Sequence, residues 1–210
     1  MMYRPPAYVQ NDVAVLHEII AKRSFATIAT IMAGEVRFAY APVVLDAKPG
    51  AKGGARFHLA RANPMAALDV ATVRLSFLGP DAYVSPDWYV TKGLVPTWNY
   101  IAVEGCGTAK RMDSAALRQL LIDLSAAQEE RLRPKSPWTI DKVPEKKIGA
   151  LLEAIVGFSV SFETLEGKFK LSQDKKEEDF AGVIAALEAT EEAGSRSVAD
   201  AMRYYGRPKD

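Results

Sequence analysis

The spacing of apolar residues changes period several times along the chain, and each change marks an element. In "NDVAVLHEIIAKRS", Val13, Leu16, Ile19 and Ile20 recur at helical spacing, and Asp12 stands where a cap belongs. His17 borders that apolar stripe and reads as a packed or half-exposed side chain. The period then shortens to two. "FATIATIM" and "VRFAYAPVVLD" are rich in β-branched and aromatic residues, and the short "AGE" between them predicts a hairpin with Gly34 in its turn. "ARFHLA" predicts a third strand. "ANPMAALD" predicts a short helix capped by Asn63, with Pro64 in its first turn. "VATVRLSFLG", "DAYVSP" and "TWNYIAVEGCGTAKRM" predict three more strands.

Helical spacing returns in "DSAALRQLLIDLSAAQEERL", which starts at the cap Asp113 and turns Leu117, Leu120, Leu121 and Leu124 inward. "VPEKKIGALLEAI" predicts a further helix. In "VGFSVSFETLEG", Phe158, Val160 and Phe162 alternate with Ser159, Ser161 and Glu163, the mark of a strand with one buried face. The remainder reads as two helices parted at Gly194 and Ser195. Six or seven strands joined by short connections must pair antiparallel, because a parallel crossover needs about a dozen residues or more. The expected fold is therefore mainly β with flanking helices (α+β), a small antiparallel barrel. Regular β-α-β alternation, which a doubly wound fold requires, is missing.

Composition narrows the function classes. With 27 basic and 26 acidic side chains the formal net charge is +1, which gives no general attraction to nucleic-acid phosphates or anionic membranes. Cys106 is the single cysteine, so no intrachain disulfide can form; with only His17 and His58 besides, zinc ligation of the Cys/His type is disfavoured. No apolar run reaches the roughly 18 residues of a spanning helix. The start, "MMYRPPAYVQNDV", lacks the apolar core of a signal peptide, and a cytoplasmic location is expected.

Motif chemistry is sparse. The chain carries neither a G-x-x-x-x-G-K-[ST] loop nor a G-x-S-x-G elbow. "GCG" at 105–107 lies within a strand pattern and marks a bulge or a close approach, with Cys106 read as packing. "RFHLARANP" carries His58 and Arg61 into a helix start at Asn63, a place where an anion can meet free N–H groups and a guanidinium. The plainer reading gives Arg61 a salt bridge and Asn63 a capping role. "GPDAYVSPDWY" and "VPTWNY" concentrate Tyr83, Trp88, Tyr89, Trp98 and Tyr100, which suits a flat-ligand wall, a subunit interface or a core cluster. In "LEGKFKLSQDKKEEDF", Lys168 and Lys170 fall on one side of an extended segment. They read as a solvated basic edge or as ligands for a phosphate or an acidic partner.

"MYRPPAY", "HLARANP", "FLGPDAYVSPDWY", "VPTWNYIAVEGCG" and "LEGKFKLSQDK", in that order, resemble the PaiB family of FMN-binding negative transcriptional regulators. The resemblance implies an antiparallel split β-barrel of the FMN-binding type, working as a homodimer with FMN in a cleft between subunits. It implies a split-barrel domain over 1–170 with inserted helices, and a helical extension over 171–210 packed on the barrel. Mapped onto this chain, Arg61, His58 and Asn63 become phosphate-side candidates, with Thr27 and Thr30 as hydroxyl donors. Thr97, Trp98 and Asn99 become ring-side candidates, and Lys168 and Lys170 belong to the family's C-terminal motif. The chain departs from the family pattern at "FAYAPVV", where Tyr40 and Ala41 replace a more polar, histidine-bearing pair. The implied role is regulatory. The alternatives are a flavin-dependent oxidoreductase and a dimer that has lost flavin.

Overall fold

A computed structural model describes residues 1–206. The last four residues of the expected helical extension, 207–210, lie outside the described residues. Among the described residues, seven strands and five α-helices follow in the order β1 (Val9–Gln10), α1 (Val13–Lys22), β2 (Phe25–Met32), β3 (Glu35–Asp46), β4 (Gly54–Ala60), β5 (Val70–Val84), β6 (Thr97–Arg111), α2 (Ser114–Glu130), α3 (Glu145–Glu153), β7 (Ile155–Lys170), α4 (Glu177–Ala189) and α5 (Ser195–Tyr205). In the sheet the strands run β1-β7-β4-β3-β2-β5-β6, and β7 also pairs with β6, which closes the order into a ring. This is the antiparallel barrel with flanking helices that the alternation predicts.

The hairpin turn between β2 and β3 has Met32 opposite Glu35, leaving Ala33 and Gly34 as a two-residue loop. Both have positive φ, 51° and 81°, as a turn matched to strand twist requires. One expectation is corrected. "VATVRLSFLG" and the "DAYV" of "DAYVSP" form a single strand, β5, although Gly79 and Pro80 stand at the junction. A proline φ still lies in the extended range. At Gly79 a Cβ would meet the Ile101 side chain at 2.7 Å, so the glycine serves packing and does not end the strand. The short element at "ANPMAALD" is a 3-10 turn, Pro64–Ala67, capped by Asn63 as expected.

The chain forms two compact units. One comprises Val13–Phe77 and Glu104–Leu165. Its core includes Leu16, Ile20, Ile28, Leu75, Phe77 and the stacked pair Phe57 and Phe158, directly opposite across β4 and β7 with centroids 5.4 Å apart. Helix α2 buries Leu117, Leu120 and Leu124 against Val44, Met112, Leu152 and Ile155. Arg56 ties that helix to the sheet: it donates to Asp46 at 2.7 and 2.8 Å and to Asp123 of α2 at 2.8 Å. Gly105 and Gly107 prove to be sites of close approach. A Cβ at Gly107 would lie 2.0 Å from the Ser161 carbonyl oxygen, and one at Gly105 would enter the Phe162 ring.

The other unit comprises Met1–Asp12, Leu78–Val103 and Glu166–Asp210, so the C-terminal helices share it with the start of the chain and with parts of β5, β6 and β7. Phe180, Val183 and Leu187 of α4 are buried, as are Val198 and Met202 of α5. Gly194, at φ 92°, precedes α5. The N-terminal segment is held by Glu166, which accepts from the Met2 N–H at 2.9 Å and from Arg4 at 3.0 Å. Among the described residues no helix is long and apolar enough to cross a membrane.

Candidate functional site

Both units present cavities; one of about 370 Å³ in the first unit has Arg61 in its lining, beside Arg111 and Leu152. In the same unit, β2 and β5 pair with Thr27 opposite Ser76 and Ala29 opposite Arg74. Alternation along β5 turns Val73, Leu75 and Phe77 inward, so Arg74 and Ser76 face the other way. A cleft of about 600 Å³ lies here, walled by Thr30, Ile31, Val36, Val70, Thr72 and Arg74, with Cys106 at its border. That volume is within the roughly 300–1,000 Å³ typical of ligand sites. The Thr30 hydroxyl donates to the Thr72 carbonyl at 2.8 Å, and Arg74 Nη1 donates to Glu104 Oε2 at 2.6 Å. Ile31 and Val36 belong both to this wall and to an uncovered apolar face of the β2–β3 hairpin. Phe25, Phe38 and Tyr40 complete that face.

The predicted phosphate-side residues are occupied as follows. Thr30 lines the cleft, and Thr27 lies on the same strand opposite Tyr40. His58, Arg61 and Asn63 do not line it. Arg61 donates to the carbonyls of Glu153 and Ile155, beside the end of α3. The Asn63 side-chain amide oxygen, Oδ1, accepts from the Met65 N–H at 2.9 Å. His58 is half-buried on β4 with its Nδ1 sealed off and unpartnered, and burial pushes its pKa down. Arg74 escaped the sequence reading. Its signal was there, a lone charge between Val73 and Leu75 at strand spacing, but nothing in the sequence tells an exposed strand arginine from one in a cleft.

In the other unit the structure gathers Thr97, Asn99 and Lys170 around a cavity of about 150 Å³, with Tyr8, Tyr89, Leu94, Val95, Ser172, Asp174 and Lys175. The Lys170 ammonium donates to Thr97 Oγ1 and to the Trp98 carbonyl oxygen. Asn99 is fully buried and exchanges hydrogen bonds with Ser172 Oγ at 2.9 and 3.1 Å. Ser172 has φ 60°, a conformation that costs a non-glycine residue on the order of 1–3 kcal/mol. Trp98 is half-exposed, its ring edge-on to Tyr83 at 6.2 Å. Lys168 is drawn away from Lys170's partners: its ammonium lies 5.2 Å from the Tyr3 ring centroid and 5.5 Å from that of Tyr100.

A closed antiparallel ring of strands with a ligand-sized cleft on β2 and β5 defines a split barrel of the flavin-binding class. The chain belongs to the family described as "Putative FMN-binding domain", whose model matches residues 2–164. It is 30% identical over 204 residues to protease synthase and sporulation protein PAI 2 of Bacillus subtilis (strain 168), with 96% of each chain covered. Uncharacterized protein AN0679 of Emericella nidulans is 26% identical over 249 residues, covering 100% of this chain and 99% of that one. Among solved structures, the FAD and heme binding protein from Mycobacterium smegmatis superposes with a TM-score of 0.58 at 16% identity, over 83% of this chain and 79% of that one. The flavocytochrome Anf3 from Azotobacter vinelandii gives 0.57 at 21% identity, over 86% and 78%. These two share the fold.

Proposed function

We propose that the protein is an FMN-binding split-barrel homodimer of the PaiB type that acts in the cytoplasm as a negative transcriptional regulator. The observation that carries the flavin reading is the cleft on β2 and β5, ligand-sized and continuous with an uncovered apolar face through Ile31 and Val36. Its chemistry fits the cofactor: apolar Val70, Ile31 and Val36 suit a flat ring, while the Arg74 guanidinium and the Thr72 hydroxyl suit a phosphate and ribityl chain. Bound FMN would supply one- and two-electron redox chemistry. The residues here bind and orient it, and Glu104 fixes the guanidinium.

The apolar face supports the second subunit. Phe25, Ile31, Val36, Phe38 and Tyr40 are each more than half exposed. Covering large apolar side chains stabilises by about 1.5–3 kcal/mol each, and a second copy of the hairpin offers a matching surface. The regulatory part rests on the likeness to PAI 2, whose name concerns protease synthesis and sporulation. A net charge of +1 supplies no general pull toward DNA, so control runs through a partner protein or a sensed ligand.

Titration of the purified protein with FMN and with riboflavin, read by flavin fluorescence, tests the cleft. FMN should bind more tightly than riboflavin. Arg74→Ala should weaken FMN by about 10–100-fold, the scale of one charged hydrogen bond, and erase the preference over riboflavin. No saturable FMN binding, or the same affinity in both proteins, would overturn this assignment.

A further inference from the structure

The 150 Å³ cavity beside Lys170 has a composition that the flavin reading does not use. An ammonium has three donors. Lys170 gives two of them to Thr97 Oγ1 and the Trp98 carbonyl, and among the described residues no carboxylate pairs with it. Lys175, the second cation in the wall, is already matched by Asp174 at 2.8 Å. The three charges therefore leave one net positive charge facing the cavity. Burial pushes the Tyr89 hydroxyl pKa up, against the pull of nearby Lys175 and Ser172, and its oxygen is sealed without a hydrogen-bond partner of normal geometry. Leu94 and Val95 supply an apolar wall. A buried donor left without an acceptor costs on the order of 1–3 kcal/mol. Ser172, at positive φ, exchanges hydrogen bonds with Asn99 in the polar part of the lining.

We propose that this cavity is a binding site for a small monocarboxylate, whose carboxylate accepts from the remaining donor of Lys170 Nζ while its short aliphatic end lies against Leu94 and Val95. A single net positive charge selects a monoanion over a phosphate dianion. The volume limits the ligand to about six heavy atoms, the scale at which a cavity of this size takes up benzene. Burial pushes the Lys170 pKa down; a bound anion offsets that burial and favours the protonated amine. The site does not depend on flavin.

Isothermal titration calorimetry with propionate, its neutral isostere propionamide, and inorganic phosphate tests the inference on the full chain. Propionate should saturate one site per chain, with propionamide and phosphate each at least about 10-fold weaker, the equivalent of roughly 1.4 kcal/mol. Lys170→Met should lose propionate by at least the same factor. Val95→Trp blocks the cavity from a position that is 72% exposed, so it tests occupancy even where Lys170→Met fails to fold. Absence of saturable propionate binding, equal affinity for propionamide, tighter phosphate binding, or unchanged affinity in Val95→Trp would overturn it. A protein that binds FMN and ignores propionate sinks this inference and leaves the flavin reading standing.

Discussion

His58 shows how one side chain can be singled out for chemistry and occupied otherwise. Its position beside Arg61 suggested an anion site, whereas its Nδ1 is sealed in the half-buried face of β4, opposite Gly157. Burial lowers its pKa from 6.5, so the folded protein holds the ring neutral where the unfolded chain already takes up a proton. The unfolded state then binds more protons, and stability falls as pH drops from 6.5 toward the lower folded value. Thermal melts between pH 7.5 and 5 should show that decline, and His58→Leu should flatten this part of it. An unchanged slope in the variant would assign the acid sensitivity elsewhere. Arg61 makes a related point, while Asn63 caps its turn as the local sequence indicates. The sequence shows a guanidinium and an amide near a helix start, but the carbonyls of Glu153 and Ile155 that engage Arg61 are far away along the chain.

Elements were more legible than sites, because a strand or helix is written in local periodicity. The inward alternation of Phe158, Val160 and Phe162, the cap at Asp113 and the Ala33-Gly34 hairpin all follow from neighbours a few residues apart. β5 was misread because Gly79 and Pro80 carry the usual sign of a break, while the reason for Gly79 is Ile101 on another strand. Gly107 has the same kind of cause. Replacing it by alanine places a methyl group 2.0 Å from the Ser161 carbonyl oxygen, and the β6–β7 pairing must yield. Gly107→Ala should cost about 1–3 kcal/mol and lower the melting temperature by roughly 2–4 °C per kcal/mol. A variant as stable as the parent would show that the closure of the ring tolerates a shift there.

For the whole molecule the question is what covers the hairpin. Val36, Phe38 and Tyr40 alternate along β3 as a strand with one apolar face should, yet their side of the sheet is open, while Ala39, Ala41 and Val43 fill the core. Sequence alone cannot assign the two faces, since both are apolar and periodicity fixes only that they differ. Phe38→Glu should convert a dimer to monomers in sedimentation equilibrium and, because Ile31 and Val36 serve both surfaces, weaken FMN as well. A parent protein that sediments as a single chain would remove the second subunit from the proposal.

Glu166 gives the opening residues a weight their position would not suggest. The residue is 6% exposed, and its carboxylate is compensated by Arg4 and by the Met2 N–H. Clipping the first handful of residues would strand an anion in a dry place without its counterweight, and uncompensated buried charge is among the costliest defects a fold can carry. Met2 and Arg4 act as the cork over that carboxylate.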